Sequence, residues 1–208
     1  MGADAELARE VSQQWEHEAL IRGAAPVAPR WASTARPVAA PAAEVLGPDW
    51  TAGRALRLRL RGAAADLAGA LLALPSRRLV VLGAPGSGKS ALATRLVRDL
   101  LDLPGAPVPV LLSLATWQPE TQPLGVWLAT RIARSYPSCR DAAGLLAAAR
   151  ILPILDGLDR IGPAAMPRLG EYLTGPRPIV ITCRTGAYAS LIAHPLSRTA
   201  VVELEPST

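Results

Sequence analysis

The sequence predicts an α/β fold in which helices cover both faces of a parallel sheet. Three observations support this class. Short apolar runs recur along the chain, stretches with helical periodicity separate them, and half of the 208 residues are apolar, which is enough for one sizeable core. Because strand–helix–strand crossovers are right-handed, few topologies are compatible with this order of elements.

The N-terminal segment, residues 1–53, begins with a predicted helix over Leu7–Arg22. Its apolar residues recur at every fourth position, namely Leu7, Val11, Trp15 and Ala19. We expect this helix to dock on the core rather than to bind a partner or a membrane surface.

A stretch rich in proline and alanine follows over residues 23–49. Tryptophan rarely decorates a solvated linker, so Trp31 and Trp50 are expected to anchor an extended segment against the core.

Residues 54–208 are predicted to form the α/β core. Leucine and arginine alternate over Arg54–Arg61, which predicts a strand with a basic outer face. No aromatic residues interleave with these arginines, so a solvated edge is favoured over a nucleic-acid stripe. The strands predicted for the parallel sheet are 79–82, 108–114, 151–155, 178–182 and 200–204. One helix is predicted directly after strand 79–82, with Leu92, Leu96 and Leu100 on one face. The other helices predicted between strands are 63–74, 124–136, 142–150 and 163–173.

A glycine-rich turn joins the first of these strands to its helix. It fits G-x-x-x-x-G-K-[ST] with Gly83, Gly88, Lys89 and Ser90. Glycines let backbone N–H groups converge on a phosphate, the helix N-terminus adds its dipole, and a compact ammonium completes the cradle. Lys89 is the only lysine in the chain. The predicted phosphate-binding residues are Gly83, Ala84, Pro85, Gly86, Ser87, Gly88, Lys89, Ser90 and Ala91; an ordinary βα turn is the alternative.

Two acidic residues follow the strand 151–155. Asp156 lies where that strand leaves the sheet, so it is predicted to hold Mg²⁺ together with the Ser90 hydroxyl; a helix cap is the alternative. The sequence leaves two roles open for Asp159, which can polarise an attacking water or cap the next helix. Arg184 follows the strand 178–182 and is predicted to sense the γ-phosphate. Its alternative role is a structural ion pair with Asp156 or Asp159.

Composition argues against several other classes of protein and kinds of site. A net charge of +5 is explained by an arginine-rich surface in preference to nucleic-acid binding. Cys139 and Cys183 are far apart, and a buried free thiol is favoured over a disulfide at Cys183. His17 and His194 lack metal-ligand spacing. No apolar run approaches the ~20 residues of a membrane span, and charges interrupt any signal peptide, so a cytoplasmic segment is expected.

The motifs GAPGSGKS, ILPILDGLD and IVITCR together resemble those of the NACHT NTPases, which belong to the STAND class of AAA-like P-loop ATPases. The resemblance covers about Leu56 to Pro206. It implies a three-layer P-loop fold with five parallel strands in the order 5-1-4-3-2, and it implies binding of ATP, or GTP, with Mg²⁺. It also implies control of self-association by the bound nucleotide. By this resemblance residues 83–90 are the Walker A motif, Asp156 is the Walker B aspartate and Arg184 is the sensor arginine.

Two departures from the family pattern affect the functional prediction. Arg160 occupies the position where many members carry a catalytic glutamate, so hydrolysis is expected to be slow or lost. The helical and winged-helix parts of the family, through which partners would be reached, are expected to be absent after Thr208. The leading hypothesis is therefore a slow Mg²⁺-dependent ATPase switch with Lys89, Asp159 and Arg184 as catalytic residues. A nucleotide-binding scaffold without turnover, a DNA-associated P-loop ATPase and a P-loop small-molecule kinase are the alternatives.

Overall fold

The computed structural model describes residues 2–22, 29–47 and 60–205, and the side chains within α1 only as far as residue 17. Seven strands form one sheet in this part of the chain. They are β1 (Arg30–Ser33), β2 (Arg61–Ala63), β3 (Arg78–Gly83), β4 (Val108–Ser113), β5 (Ile151–Asp156), β6 (Ile179–Arg184) and β7 (Ala200–Leu204).

The parallel part of the sheet has the order β7-β3-β6-β5-β4. In the numbering of the predicted strands this is 5-1-4-3-2, as the family resemblance implies. All six residues of the central strand β3 are buried, as expected for a strand covered on both faces.

The complete sheet is mixed, so the prediction of a five-stranded parallel sheet is wrong in this respect. β1 pairs antiparallel with both β7 and β2, which gives the order β2-β1-β7-β3-β6-β5-β4. β1 has only four residues inside a segment rich in proline and alanine, too few to show an alternating pattern. Its pairing satisfies the backbone groups of β7 that would otherwise form an open edge.

Trp31 shows why the N-terminal segment joins the sheet. Its side chain is 1% exposed, and its indole Nε1 donates a hydrogen bond to the Ala63 carbonyl at 2.7 Å. The prediction that Trp31 anchors this segment is confirmed. Trp50 and residues 54–59 of the predicted basic strand lie outside the described residues. The division of the chain at residue 53 stays a prediction.

Eight α-helices accompany the sheet in the described residues. They are α1 (Ala3–Arg22), α2 (Ala42–Leu46), α3 (Leu67–Ala73), α4 (Lys89–Leu101), α5 (Leu124–Ser135), α6 (Ala142–Ala147), α7 (Ala165–Tyr172) and α8 (Thr185–Leu191). The helices α2 and α8 are short and were not predicted. None of these helices combines the length and the apolar character that a membrane span requires.

The chain path produces three layers. From β3 the chain passes β6 and β5 to reach β4, and it then returns one strand at a time to β5 and β6. Right-handed crossovers in opposite directions place their helices on opposite faces, so α4 covers one face and α5, α6 and α7 cover the other. The contacts agree, since α4 packs with α1 and α3, and α5 packs with α6 and α7.

The first helix docks on the core, as predicted. Leu7 and Val11 are fully buried, and α1 contacts β4 and α4. Two polar contacts fix the helix further, because Ser138 Oγ donates to Glu10 Oε2 at 2.6 Å and Arg150 pairs with Asp4.

Candidate functional site

The glycine-rich turn lies at the carboxyl edge of the sheet, between the end of β3 at Gly83 and the start of α4 at Lys89. Gly88 caps α4 with φ +90°, a left-handed backbone conformation that residues other than glycine rarely adopt. A Cβ atom on Gly83 would collide with Ser87 Oγ. The positive φ therefore favours glycine at position 88, whereas a side chain at position 83 would have to displace the Ser87 hydroxyl. The first turn of α4, whose N–H groups have no partner within the helix, begins directly after this turn.

Lys89 extends its ammonium group over this turn. Its Nζ donates hydrogen bonds to the carbonyls of Gly83 at 2.9 Å and Ala84 at 2.7 Å. Burial lowers the pKa of Lys89, and the nearby carboxylates of Asp159 and Asp156 oppose this shift. The ammonium group of the only lysine in the chain is thus held within the predicted phosphate-binding loop.

Ser90 and Asp156 meet across the edge of the sheet. The Ser90 hydroxyl lies 3.1 Å from Asp156 Oδ2 and 3.3 Å from Oδ1. A hydroxyl and a carboxylate are hard oxygen donors of the kind that Mg²⁺ prefers. The structure therefore brings together the two residues predicted to hold this ion, and their chemistry fits it.

Thr182, on the neighbouring strand β6, contacts the same Asp156 carboxylate. The residue is 1% exposed, and its Oγ1 lies 2.5 Å from Asp156 Oδ1 while accepting the Gly157 N–H at 3.0 Å. The sequence placed Thr182 at the end of its strand but gave it no role. The only sign was a hydroxyl residue in the otherwise apolar run IVITC.

Asp159 and Arg184 form an ion pair beside the turn. Arg184 Nε lies 2.8 Å from Asp159 Oδ2, and the Arg184 backbone N–H donates to Oδ1 at 3.2 Å. Arg184 directly precedes α8, so Asp159 contacts the start of that helix rather than the helix next in the chain. The pairing left open by the sequence is thus present, with Asp159 and not with Asp156, while the catalytic roles of both residues stay predictions.

Comparison with protein families finds the NACHT domain over residues 77–207, more than half of the chain. The chain belongs to the NACHT family. A search of curated proteins gave no match. The matched span contains the five parallel strands and every predicted site residue, whereas β1 and β2 precede it. NACHT domains are P-loop NTPases, so a nucleotide-binding domain is present.

Arg160 is exposed at the surface of this NACHT domain. Its side chain lies across Gly157, close enough that a Cβ there would be 3.0 Å from Arg160 Cδ. No ion pair joins Arg160 to a described residue. The position at which the resemblance predicts a catalytic glutamate therefore carries a cation, and Asp159 is the neighbouring carboxylate.

The N-terminal segment reaches the edge of the candidate site through Glu203 on β7, a contact that no sequence pattern indicates. Glu203 Oε1 accepts the Thr185 hydroxyl at 2.9 Å. Its Oε2 accepts the Thr34 hydroxyl and Arg36 Nε, each at 3.3 Å. The residues that follow β1 and the start of α8 are therefore joined through one carboxylate.

A cavity of about 510 Å³ lies between α5, α6 and α7 and contains none of the predicted site residues. The candidate site is consequently recognised by its converging polar groups and by its place at the carboxyl ends of the strands, and not by enclosed volume.

Proposed function

We propose that this NACHT domain binds a nucleoside triphosphate with Mg²⁺ on residues 83–91 and acts as a slow Mg²⁺-dependent ATPase switch. The observation that carries the proposal is the convergence of the Lys89 ammonium with the Ser90–Asp156 pair at one edge of the sheet. Nucleotide binding is then coupled to conformational change or to self-association.

The loop residues have separate tasks in this proposal. Backbone N–H groups of the turn and the start of α4 bind phosphate oxygens, and Lys89 neutralises the β- and γ-phosphates by exchanging its carbonyl partners for phosphate. Ser90 and Asp156 hold the metal ion. When bound, Mg²⁺ supplies positive charge that offsets the charge of the phosphates.

Asp159 and Arg184 act at the γ-phosphate. Arg184 stabilises negative charge during phosphoryl transfer, and Asp159 orients the attacking water. While the ion pair is intact, the Arg184 guanidinium and the Asp159 carboxylate bind each other. The pair must therefore separate before either group can act on the phosphate or the water. This requirement supports slow turnover.

A second candidate is a NACHT domain that binds nucleotide without hydrolysis. The observation that favours it is that the Asp159 carboxylate is engaged on both oxygens by Arg184, while residue 160 offers no carboxylate. A switch of this kind would respond to exchange of nucleotides instead of to turnover.

Phosphate release by the wild type, Lys89→Ala and Asp159→Ala tests the first candidate. We expect Lys89→Ala to lose binding and turnover, and Asp159→Ala to bind ATP but to release phosphate at least about tenfold more slowly. Arg98→Ala, at an exposed position of the same helix, is the matched control and should behave as the wild type. Equal rates in the wild type and both site variants would end the enzyme assignment.

Calorimetric titration with ATP and GTP, each with Mg²⁺ and with EDTA, separates binding from turnover and identifies the base preference. Tight binding without phosphate release above background would favour the second candidate, and turnover gained by Arg160→Glu would support the assignment of residue 160. Light scattering on the same samples measures self-association. Absence of binding to either nucleotide would refute both candidates.

A further inference from the structure

Thr182 is a buried hydroxyl residue in the centre of the sheet. It belongs to β6, between β3 and β5, and its neighbours Ile181 and Cys183 are fully buried. A hydroxyl in such surroundings needs hydrogen-bond partners, and Thr182 finds both at the corner where β5 ends, on Asp156 and Gly157.

The direction of each hydrogen bond follows from the partners. The Gly157 N–H can only donate, so Thr182 Oγ1 accepts it. The Asp156 carboxylate can only accept, so the single Thr182 proton points to Asp156 Oδ1. The two oxygens are 2.5 Å apart, at the short end of the range for a hydroxyl that donates to a carboxylate.

This contact limits rotation of the Asp156 carboxylate. With Oδ1 held by Thr182, Oδ2 is the oxygen closer to Ser90, at 3.1 Å. Because Gly157 N–H holds Thr182 in turn, the orientation is fixed by the backbone of the same corner. Partners that orient a carboxylate ligand in this way raise its affinity for the metal.

We propose that Thr182 is a positioning residue whose buried hydroxyl fixes Asp156 in the orientation from which it holds, with Ser90, the divalent cation that accompanies the nucleotide. The inference rests on the proposed function, since it assumes that a metal–nucleotide complex binds here. A merely structural hydroxyl would alter stability without altering the part of the nucleotide affinity that depends on Mg²⁺.

The test is calorimetric titration of the full chain with AMP-PNP, a non-hydrolysable ATP analogue, in MgCl₂ and in EDTA. Thr182→Val keeps the side-chain shape and removes the hydroxyl. We expect it to bind about tenfold to a hundredfold more weakly than the wild type in MgCl₂, and within about twofold in EDTA. Thr182→Ser keeps the hydroxyl and should restore the Mg²⁺-dependent gain.

Thr199 supplies the matched control. It is also 1% exposed, but its hydroxyl donates to the Ser197 carbonyl at 2.9 Å, before β7 begins and away from the site. Thr199→Val should keep the whole Mg²⁺-dependent gain. Circular dichroism identifies variants that fail to fold, and Thr182→Cys, whose thiol is a weak donor, takes the place of Thr182→Val in that case.

The outcomes distinguish this inference from the proposed function. If the wild type gains affinity with Mg²⁺ and Thr182→Val gains as much, Thr182 does not position the metal ligand and the inference is overturned. If the wild type binds no nucleotide in either buffer, the proposed function fails and the inference fails with it.

Discussion

At the scale of single residues, a buried cation fastens the edge of the sheet opposite the site. Arg78 is 2% exposed and donates to the backbone carbonyls of Arg177 and Ser197, each at 3.1 Å, and of Gly175. Burial lowers the pKa of Arg78. Three backbone carbonyls therefore solvate the Arg78 guanidinium, and no carboxylate among the described residues pairs with it.

Replacing Arg78 by methionine should lower the free energy of unfolding by about 3 kcal/mol, because carbonyls buried without a donor lose their hydrogen bonds. Urea denaturation measures the change. Arg95→Met is the control: Arg95 pairs with Asp99 at 2.8 Å on the surface of α4, where such pairs contribute about 0.5 kcal/mol. Equal losses in the two variants would contradict this account of Arg78.

The buried Cys183 thiol makes the free energy of unfolding decrease at alkaline pH. Burial raises the pKa of its thiol from 9.0 to about 12, and the Asp159 charge adds to the shift. The unfolded thiol ionises above pH 9 while the folded thiol stays neutral, so stability falls as the pH rises from 9 towards 12.

Between pH 8 and pH 10 the wild type should therefore lose about 1 kcal/mol more stability than Cys183→Ala. Urea denaturation at the two pH values gives this difference. Tyr172 and Tyr188 also have raised pKa values. Both tyrosines are present in the two proteins and burial is the main cause of each shift, so most of their contribution cancels; only the smaller effect of Cys183 on Tyr188 differs. Parallel losses in the two proteins would mean that the folded thiol ionises as readily as the unfolded one.

At the scale of elements, Glu203 joins parts of the chain that are far apart in sequence. It receives hydrogen bonds from Thr34 and Arg36 after β1 and from Thr185 at the start of α8. Because Arg184 directly precedes α8, the same carboxylate supports the corner that carries the proposed sensor.

Glu203→Gln keeps the shape of the side chain and removes its charge. We expect about tenfold faster amide exchange in residues 30–36, since the charged acceptor shared by Arg36 and the part-buried Thr34 hydroxyl is lost. Hydrogen-exchange mass spectrometry provides the measurement. Glu205→Gln, which removes the exposed pair with Arg30 at 3.5 Å, should leave the exchange unchanged. Unaltered protection in Glu203→Gln would show that the backbone pairing of β1 suffices.

At the scale of the whole molecule, residues outside the NACHT match contact both outer strands of the parallel part of the sheet. β1 pairs with β7, while α1 contacts β4, the last strand at the other end. The N-terminal segment is therefore packed as part of the domain, and its removal would expose one strand edge and one helix face.

Leu7→Ala should destabilise the entire domain by about 3 kcal/mol, because the side chain is fully buried and leaves a cavity. Thermal unfolding followed by circular dichroism should show one transition at a lower temperature. Arg9→Ala, at an exposed position of the same helix, should change stability by no more than about 0.5 kcal/mol. A separate early transition for α1, with the main transition unchanged, would show that the helix does not belong to the cooperative unit.

The amino-acid sequence alone determined the class of the fold and the place of the glycine-rich turn between β3 and α4. The apolar runs of β3 to β7 and the spacing of Gly83, Gly88, Lys89 and Ser90 are local patterns, and each can be identified within a few residues. The strand order and the family followed from the resemblance that these motifs carry. Secondary structure was predictable wherever the pattern was long enough to show its period.

Only the tertiary structure decided which groups meet. Thr182 and Asp156 are 26 residues apart, and Thr34 and Glu203 are 169 apart, so no local pattern could pair them. The same holds for the antiparallel strands β1 and β2, which are too short to show a period and form by pairing with an edge built elsewhere. Contacts of this kind depend on where the sheet ends and on which polar groups burial forces to find a partner.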